Sequence, residues 1–249
     1  MLKKTLIMVV LLLMANMAIS QETAFKWKAK RVLIDSTWNS PEEPVVKGIV
    51  DYYKPEMDLR MQQVVGVSES EMRSGRPESL LSNFTVDAIL EISQRKSERK
   101  VDFALTNFGG LRAAIPAGNV RRYDIFSTYP FENYLVILDL KGENVRELFN
   151  IMADKVEAMS SNVFLHIKAG RLNDALIDGV QIEDEKIYRI ATLDFLMNGG
   201  DKLQPLKEAV SVEQTGLLLR DVIFEKIAAL TSKGELIKST ITNRVIIEQ

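Results

Sequence analysis

Three loops rich in Gly, Pro and Asn, each set against a short apolar run, constrain this chain more than any other feature. Val101 to Thr106 is a strand-type run that ends in Asn107-Phe108-Gly109-Gly110-Leu111-Arg112. Tyr129-Pro130-Phe131-Glu132-Asn133 leads into Leu135-Val136-Ile137-Leu138, which reads as a buried strand. Ile187 to Leu193 reads as a third strand and gives way to Asp194-Phe195-Leu196-Met197-Asn198-Gly199-Gly200-Asp201. Apolar runs this short are strand-sized, and the Gly, Pro and Asn clusters mark where the strands stop.

The rest of the chain supplies both kinds of element. Val45, Val46, Ile49, Tyr53 and Met57 recur at helical spacing, and Pro55 is expected to kink or end that helix. Gln62 to Val67 is a short strand. Ser79 to Ser97 is an amphipathic helix with Leu80, Phe84, Ala88 and Ile92 on one stripe. Gly142 opens a helix carrying Val145, Leu148, Phe149 and Met152. Asn162 to Lys168 and Ala175 to Ile182 read as strands joined by a Gly-containing turn, Thr215 to Leu230 as a long helix, and Arg244 to Ile247 as a closing strand. Strands and helices interleave irregularly, which predicts an α+β fold, a single compact domain of mixed sheet packed with helices.

Composition narrows the partners. With 32 Lys and Arg against 34 Asp and Glu, the near-balanced charge argues against nucleic acid as the main partner. Residues 1–20 read as a secretory signal: Lys3 and Lys4, the apolar Leu6 to Met14, then Ala18-Ile19-Ser20 before Gln21. The apolar run is shorter than the ~20 residues that span a bilayer. The expectation is an exported protein, periplasmic or extracellular, with no membrane attachment after cleavage. Residues 21–40 form a leader, and 41–249 the domain.

One histidine, His166, and no cysteine leave little for metal or nucleophilic chemistry. Metal-dependent hydrolases need several His, Asp, Asn or Cys ligands at fixed spacing. His166 alternates with apolar neighbours as a sheet residue would. No G-x-S-x-G elbow and no Walker-type loop is present. No catalytic residue and no metal ligand is assigned.

The loops carry a resemblance. Glu78-Ser79-Leu80-Leu81-Ser82-Asn83 with Asp87-Ala88 is similar to E-S-N-L-G-N…D-A, Thr106 to Arg112 to T-N-G-G-G-I-R, and Pro130 to Asn133 to P-F-G-N. Leu140-Lys141-Gly142, Gly170 to Asp174, Tyr188 to Thr192 and Asn198-Gly199-Gly200-Asp201 continue the series in order. From about Val32 to the C-terminus the chain resembles the 5′-nucleotidase C-terminal domain family, standing without the metallophosphoesterase domain.

On the residues alone, Phe131 and Phe195 read first as core residues, Asp201 as a turn aspartate and Arg112 as a surface ion pair. The resemblance implies more: Phe131 and Phe195 sandwich a nucleobase, Asp201 accepts the ribose hydroxyls, Arg112 and Asn107 bind substrate, and Gly109 and Gly110 shape the loop. Arg76, with Arg73 as second candidate, stands nearest the family's arginine just before the helix that starts at Ser79. Phe108 replaces a third glycine and either crowds or newly lines the pocket, and Lys202-Leu203 replaces a Gly-aromatic pair after Asp201. The resemblance implies a nucleoside or nucleotide ligand and a separately encoded metallophosphoesterase partner holding the divalent metals, with none in this chain. The alternative is a free-standing nucleotide-binding protein.

Overall fold

The computed structural model describes residues 27–36 and 43–248. The expected signal, 1–20, and residues 21–26 and 37–40 of the expected leader lie outside the described residues. The chain divides into two compact units, Met1–Asp51 and Tyr52–Gln249. In the first, residues 27–34 form neither helix nor strand, and Glu43 caps the helix that follows, its Oε2 accepting the Val46 N–H at 2.7 Å. That helix, α1 (Pro44–Met61), continues past Asp51 into the residues of the second unit and has no buried residue. Pro55 lies inside it and neither ends it nor stops its course to Met61. A proline deletes one ladder bond, while the i,i+4 pairs Lys54–Asp58 and Glu56–Arg60 on either side favour the same turns.

The second unit holds three sheets. β1 (Val64–Ser68) pairs antiparallel with β3 (Gly118–Arg121). The main sheet has the order β10 (Ser211–Leu218), β4 (Tyr134–Lys141), β9 (Ile187–Leu193), β2 (Phe103–Thr106), β5 (Ala158–Met159). A third sheet has the order β11 (Val245–Glu248), β6 (Val163–Lys168), β7 (Arg171–Ile177), β8 (Val180–Gln181). In the main sheet all of β2, and all but the end residues of β4 and the first residue of β9, are buried, which is why these strands read as largely apolar, and the charged pair within them, Asp139 of β4 and Arg189 of β9, is matched at 2.9 Å. The helix α2 (Leu80–Lys96) packs against β2, β5 and β9, the short α3 (Arg122–Thr128) against β3, and α4 (Gly142–Met152) against β4, β7 and β9. The mixture of parallel and antiparallel pairs with irregularly interleaved helices is α+β, as expected.

α2 starts where the sequence places it. Ser79 caps it, with Ser82 N–H on Ser79 Oγ at 3.1 Å and Ser79 N–H on Ser82 Oγ at 2.9 Å. Its buried face is wider than the expected stripe: Phe84, Ala88 and Ile92 are buried, Leu80 only partly, and Leu81, Thr85 and Ile89 join them.

Two expectations fail at boundaries. The helix expected over Thr215–Leu230 is α6 (Leu219–Ser232), and residues before it belong to β10, paired with β4. Gly216 has a φ of 71° and sits where the β10 register shifts between Gln214 and Leu218, so the apparent helical periodicity there is that of a bulged strand. The strand expected over Ala175–Ile182 begins earlier and is cut at Asp178-Gly179, where φ angles of 53° and 76° make the turn between β7 and β8. The turn at Ala169-Gly170, with φ of 49° and 71°, is as expected.

Candidate functional site

The strand directions gather the three loops. β2 and β9 are parallel, so both end at one edge of the main sheet, and β4 is antiparallel to β9, so it begins there. The loop after β2, the loop before β4 and the segment after β9 therefore meet.

After β2, residues Phe108–Gly110 form a tight 3-10 turn. The buried Asn107 sends its Nδ2 to Asp201 Oδ2 at 2.5 Å. The glycines allow this approach: a Cβ on Gly110 would lie 3.0 Å from Asn107 Oδ1, and one on Gly109 would lie 3.3 Å from Asn107 Nδ2. Phe108 neither crowds nor lines the cavity. It is buried, with its N–H on Glu157 Oε2 at 2.7 Å and the Arg76 guanidinium stacked 4.7 Å over its ring.

Before β4, Tyr129 anchors the loop: its ring is buried and its hydroxyl bonds Thr85 Oγ1 at 2.7 Å. Burial pushes the Tyr129 phenol far above its usual range. Arg220, in the first turn of α6, donates through Nη1 to the carbonyls of Tyr129 at 3.2 Å and Pro130 at 3.0 Å, and Leu219 N–H bonds Asn133 O at 3.0 Å. Phe131 projects from this clamped loop and is 47% exposed.

After β9 comes the short helix α5 (Asp194–Met197). Phe195 is 45% exposed, so neither aromatic belongs to the core. Gly200 lies beneath the Phe195 ring, where a Cβ would come within 2.5 Å of it. Asp201 follows with a φ of 51°. Its carboxylate is raised by burial, but hydrogen bonds from Asn107 and from Lys155 (Nζ to Oδ1, 3.1 Å) outweigh this and hold it below the usual carboxylate range.

These segments enclose an open cavity of about 250 Å³ lined by Phe131, Phe195, Asp201, Asn107, Asn133, Gly109 and Gly110. Of the residues that the sequence singles out, Arg112 and Arg76 do not line it. Arg112 is exposed, with its guanidinium 6.0 Å from the Phe131 ring centroid. Arg76 donates to Val156 O at 2.8 Å and to both oxygens of the buried Glu157, while Arg73 pairs with Glu71.

Glu157 and Lys155 join the site without a loop motif of their own to mark them. Glu157 receives Arg76, Lys155 (3.0 Å) and the Phe108 amide, so charges alternate from Arg76 through Glu157 and Lys155 to Asp201. The hydrogen bonds to Glu157 and Asp201 raise the Lys155 ammonium above its usual pKa. The available signal was slight: a single Glu in the run Val156-Glu157-Ala158-Met159.

Among the described residues no group of three or more His, Cys, Asp or Glu is placed to hold an ion. His166 sits in β6, with Nδ1 3.1 Å from Asn173 Nδ2 and Nε2 3.1 Å from Glu248 Oε1.

Comparison with known proteins agrees with the fold. The family model described as "5′-nucleotidase, C-terminal domain" matches residues 64–208, more than half of the chain. Protein UshA of Yersinia enterocolitica is 29% identical over 175 residues, covering 68% of this chain and 31% of its own length. A 5′-nucleotidase of Vibrio vulnificus is 23% identical over 206 residues, covering 80% of this chain and 36% of its own. The crystal structure of a 5′-nucleotidase precursor from Thermus thermophilus superposes with a TM-score of 0.71 at 23% identity, covering 82% of this chain and 43% of that one. The chain thus spans less than half the length of each of these proteins. By its fold, its loop motifs and the extent of the match, it belongs to the 5′-nucleotidase C-terminal domain family.

Proposed function

We propose that this chain is an exported nucleotide-recognition domain of 5′-nucleotidase type. It holds base and ribose while a separately encoded metallophosphoesterase supplies the divalent metals and the attacking water. One observation carries the reading: two half-exposed phenylalanines and an ionised aspartate line the same open cavity. Every nucleobase has a π-face, and a base–aromatic contact contributes roughly 1–3 kcal/mol. A cavity of about 250 Å³ falls just below the ~300–1,000 Å³ of small-molecule sites, which suits a nucleoside with its phosphate outside.

Asp201 is prepared for a vicinal diol. A carboxylate offers about four acceptor positions over two oxygens. Asn107 takes one on Oδ2 and Lys155 one on Oδ1, which leaves one on each oxygen for the two ribose hydroxyls. Arg112 is exposed, and its planar fork beside Phe131 suits a phosphate. Binding energy gathered at base and ribose then orients the phosphoryl group for attack by the partner's machinery. Nucleotide dephosphorylation is the work of the pair.

Titration calorimetry of the mature chain with adenosine, AMP and UDP-glucose tests this. Adenosine and AMP should bind, AMP more tightly, with the difference lost in Arg112→Ala. Absence of saturable heat with all three ligands overturns the reading.

A further inference from the structure

The last rung of the β4–β9 ladder at the cavity edge is Leu135↔Leu193. One residue further the backbones part, because β9 gives way to α5 while Tyr134 runs back toward Phe131. The rung is continued by a side chain. Asp194 Oδ1 accepts the Tyr134 N–H at 3.0 Å and, on the same oxygen, the N–H of its neighbour Phe195 at 2.8 Å. One carboxylate oxygen thus binds the backbone of both segments that carry the cavity's aromatic walls.

We propose that Asp194 is a positioning residue that fixes the distance between Phe131 and Phe195, and that base stacking depends on it. The proposal rests on reading the cavity as a nucleoside site. Arg220 and Leu219 hold the Phe131 loop to α6, and Gly200 supports Phe195 from below, but neither contact joins the two walls. A stacked base needs a gap set by two ring contacts at once, so a wall free to move outward forfeits one of them. A plain helix-end role for Asp194, favourable toward the α5 dipole, would make no demand on the Tyr134 amide. It would also depend on the negative charge, whereas the tie needs only an acceptor oxygen, which Asn retains.

The test compares D194A, D194N and D194E with the parent chain. AMP affinity, the ring-current shifts of the bound adenine H2 and H8 protons, and thermal midpoint are measured on each. D194A should weaken AMP binding about tenfold, or ~1.4 kcal/mol, and shrink the ring-current shifts. D194N should restore both. D194E, which displaces the acceptor by one methylene, should resemble D194A and carries the test if D194A fails to fold. Parent-like affinity and ring-current shifts in D194A, or equal losses in D194N and D194A, overturn the proposal. If the parent binds no nucleotide, the cavity reading fails on its own, and hydrogen exchange at the Tyr134 amide still decides the tie. Faster exchange in D194A than in D194N supports it, and unchanged exchange refutes it.

Discussion

Asp201 shows how much one side chain depends on its neighbours. Its pKa is lowered, so the carboxylate stays ionised at pH values where an ordinary aspartate, near ~3.9, begins to protonate. Because the folded value lies below the unfolded one, its contribution to stability is present above the unfolded pKa and is lost only as pH falls through the folded pKa. Ribonucleoside affinity should accordingly be unchanged between about pH 7 and pH 5, and a calorimetric loss across that window contradicts the role given to Asp201. Asp201→Asn should weaken adenosine more than 2′-deoxyadenosine, by ~1.5–3 kcal/mol, the range for hydrogen bonds to a charged group. Phe131→Ala and Phe195→Ala should each weaken adenosine by roughly 1–3 kcal/mol while barely moving the thermal midpoint. Phe103→Ala, at 0% exposure in β2, should instead cost about 3–5 kcal/mol of stability. Large stability losses at Phe131 and Phe195 would place them functionally in the core. All the expected site residues except Arg112 and Arg76 line the cavity, because their loops carry local signatures that a sequence displays. Lys155 and Glu157 were not legible, since their role depends on a turn before β5 meeting Arg76, Phe108 and Asp201 from distant parts of the chain.

At the scale of elements, the cavity's walls are held from behind. Arg220 is buried, stacks 4.6 Å over Phe126 and commits Nη1 to two loop carbonyls. Arg220→Ala should lower stability by ~1–3 kcal/mol, the cost of leaving buried acceptors unsatisfied, and weaken adenosine with it. Arg112→Ala, on an exposed side chain, should affect AMP alone. Denaturant unfolding and calorimetry on the two variants separate anchor from ligand contact, and a similar stability loss in both would refute the distinction. The same region shows where sequence patterns mislead. Thr215 to Leu218 carries apolar residues that continue smoothly into α6, yet Leu218 pairs with Tyr134 across β10 and β4. Periodicity over so few residues does not distinguish a bulged strand from the first turn of a helix. By contrast Ser79 with Ser82, and Asp178-Gly179, are chemical signals tied to one backbone geometry; the first places the start of α2, and the second cuts a strand that apolar content alone had run together.

For the whole molecule, the reading makes the chain a partner to catalysis. Purified and supplied with Mn²⁺, Zn²⁺ or Mg²⁺, it should release no phosphate from AMP; metal-dependent turnover abolished by mutating one of its own carboxylates would refute that. Among the described residues no helix is long and apolar enough to cross a membrane. Mass spectrometry of protein from its native host should find a mature start at Gln21, and an intact Met1 terminus in the membrane fraction would contradict export. The gathering of all three loops at one edge of the main sheet has a further consequence. The residues that would touch a ligand lie outside the hydrogen-bonded ladders, while β2, β4 and β9 behind them carry mostly buried apolar side chains and the buried Asp139–Arg189 pair, none of which lines the cavity. Ligand preference and folding are therefore written in separate parts of the chain, and selection can revise the vocabulary of the loops while the grammar of the strands stays as it is.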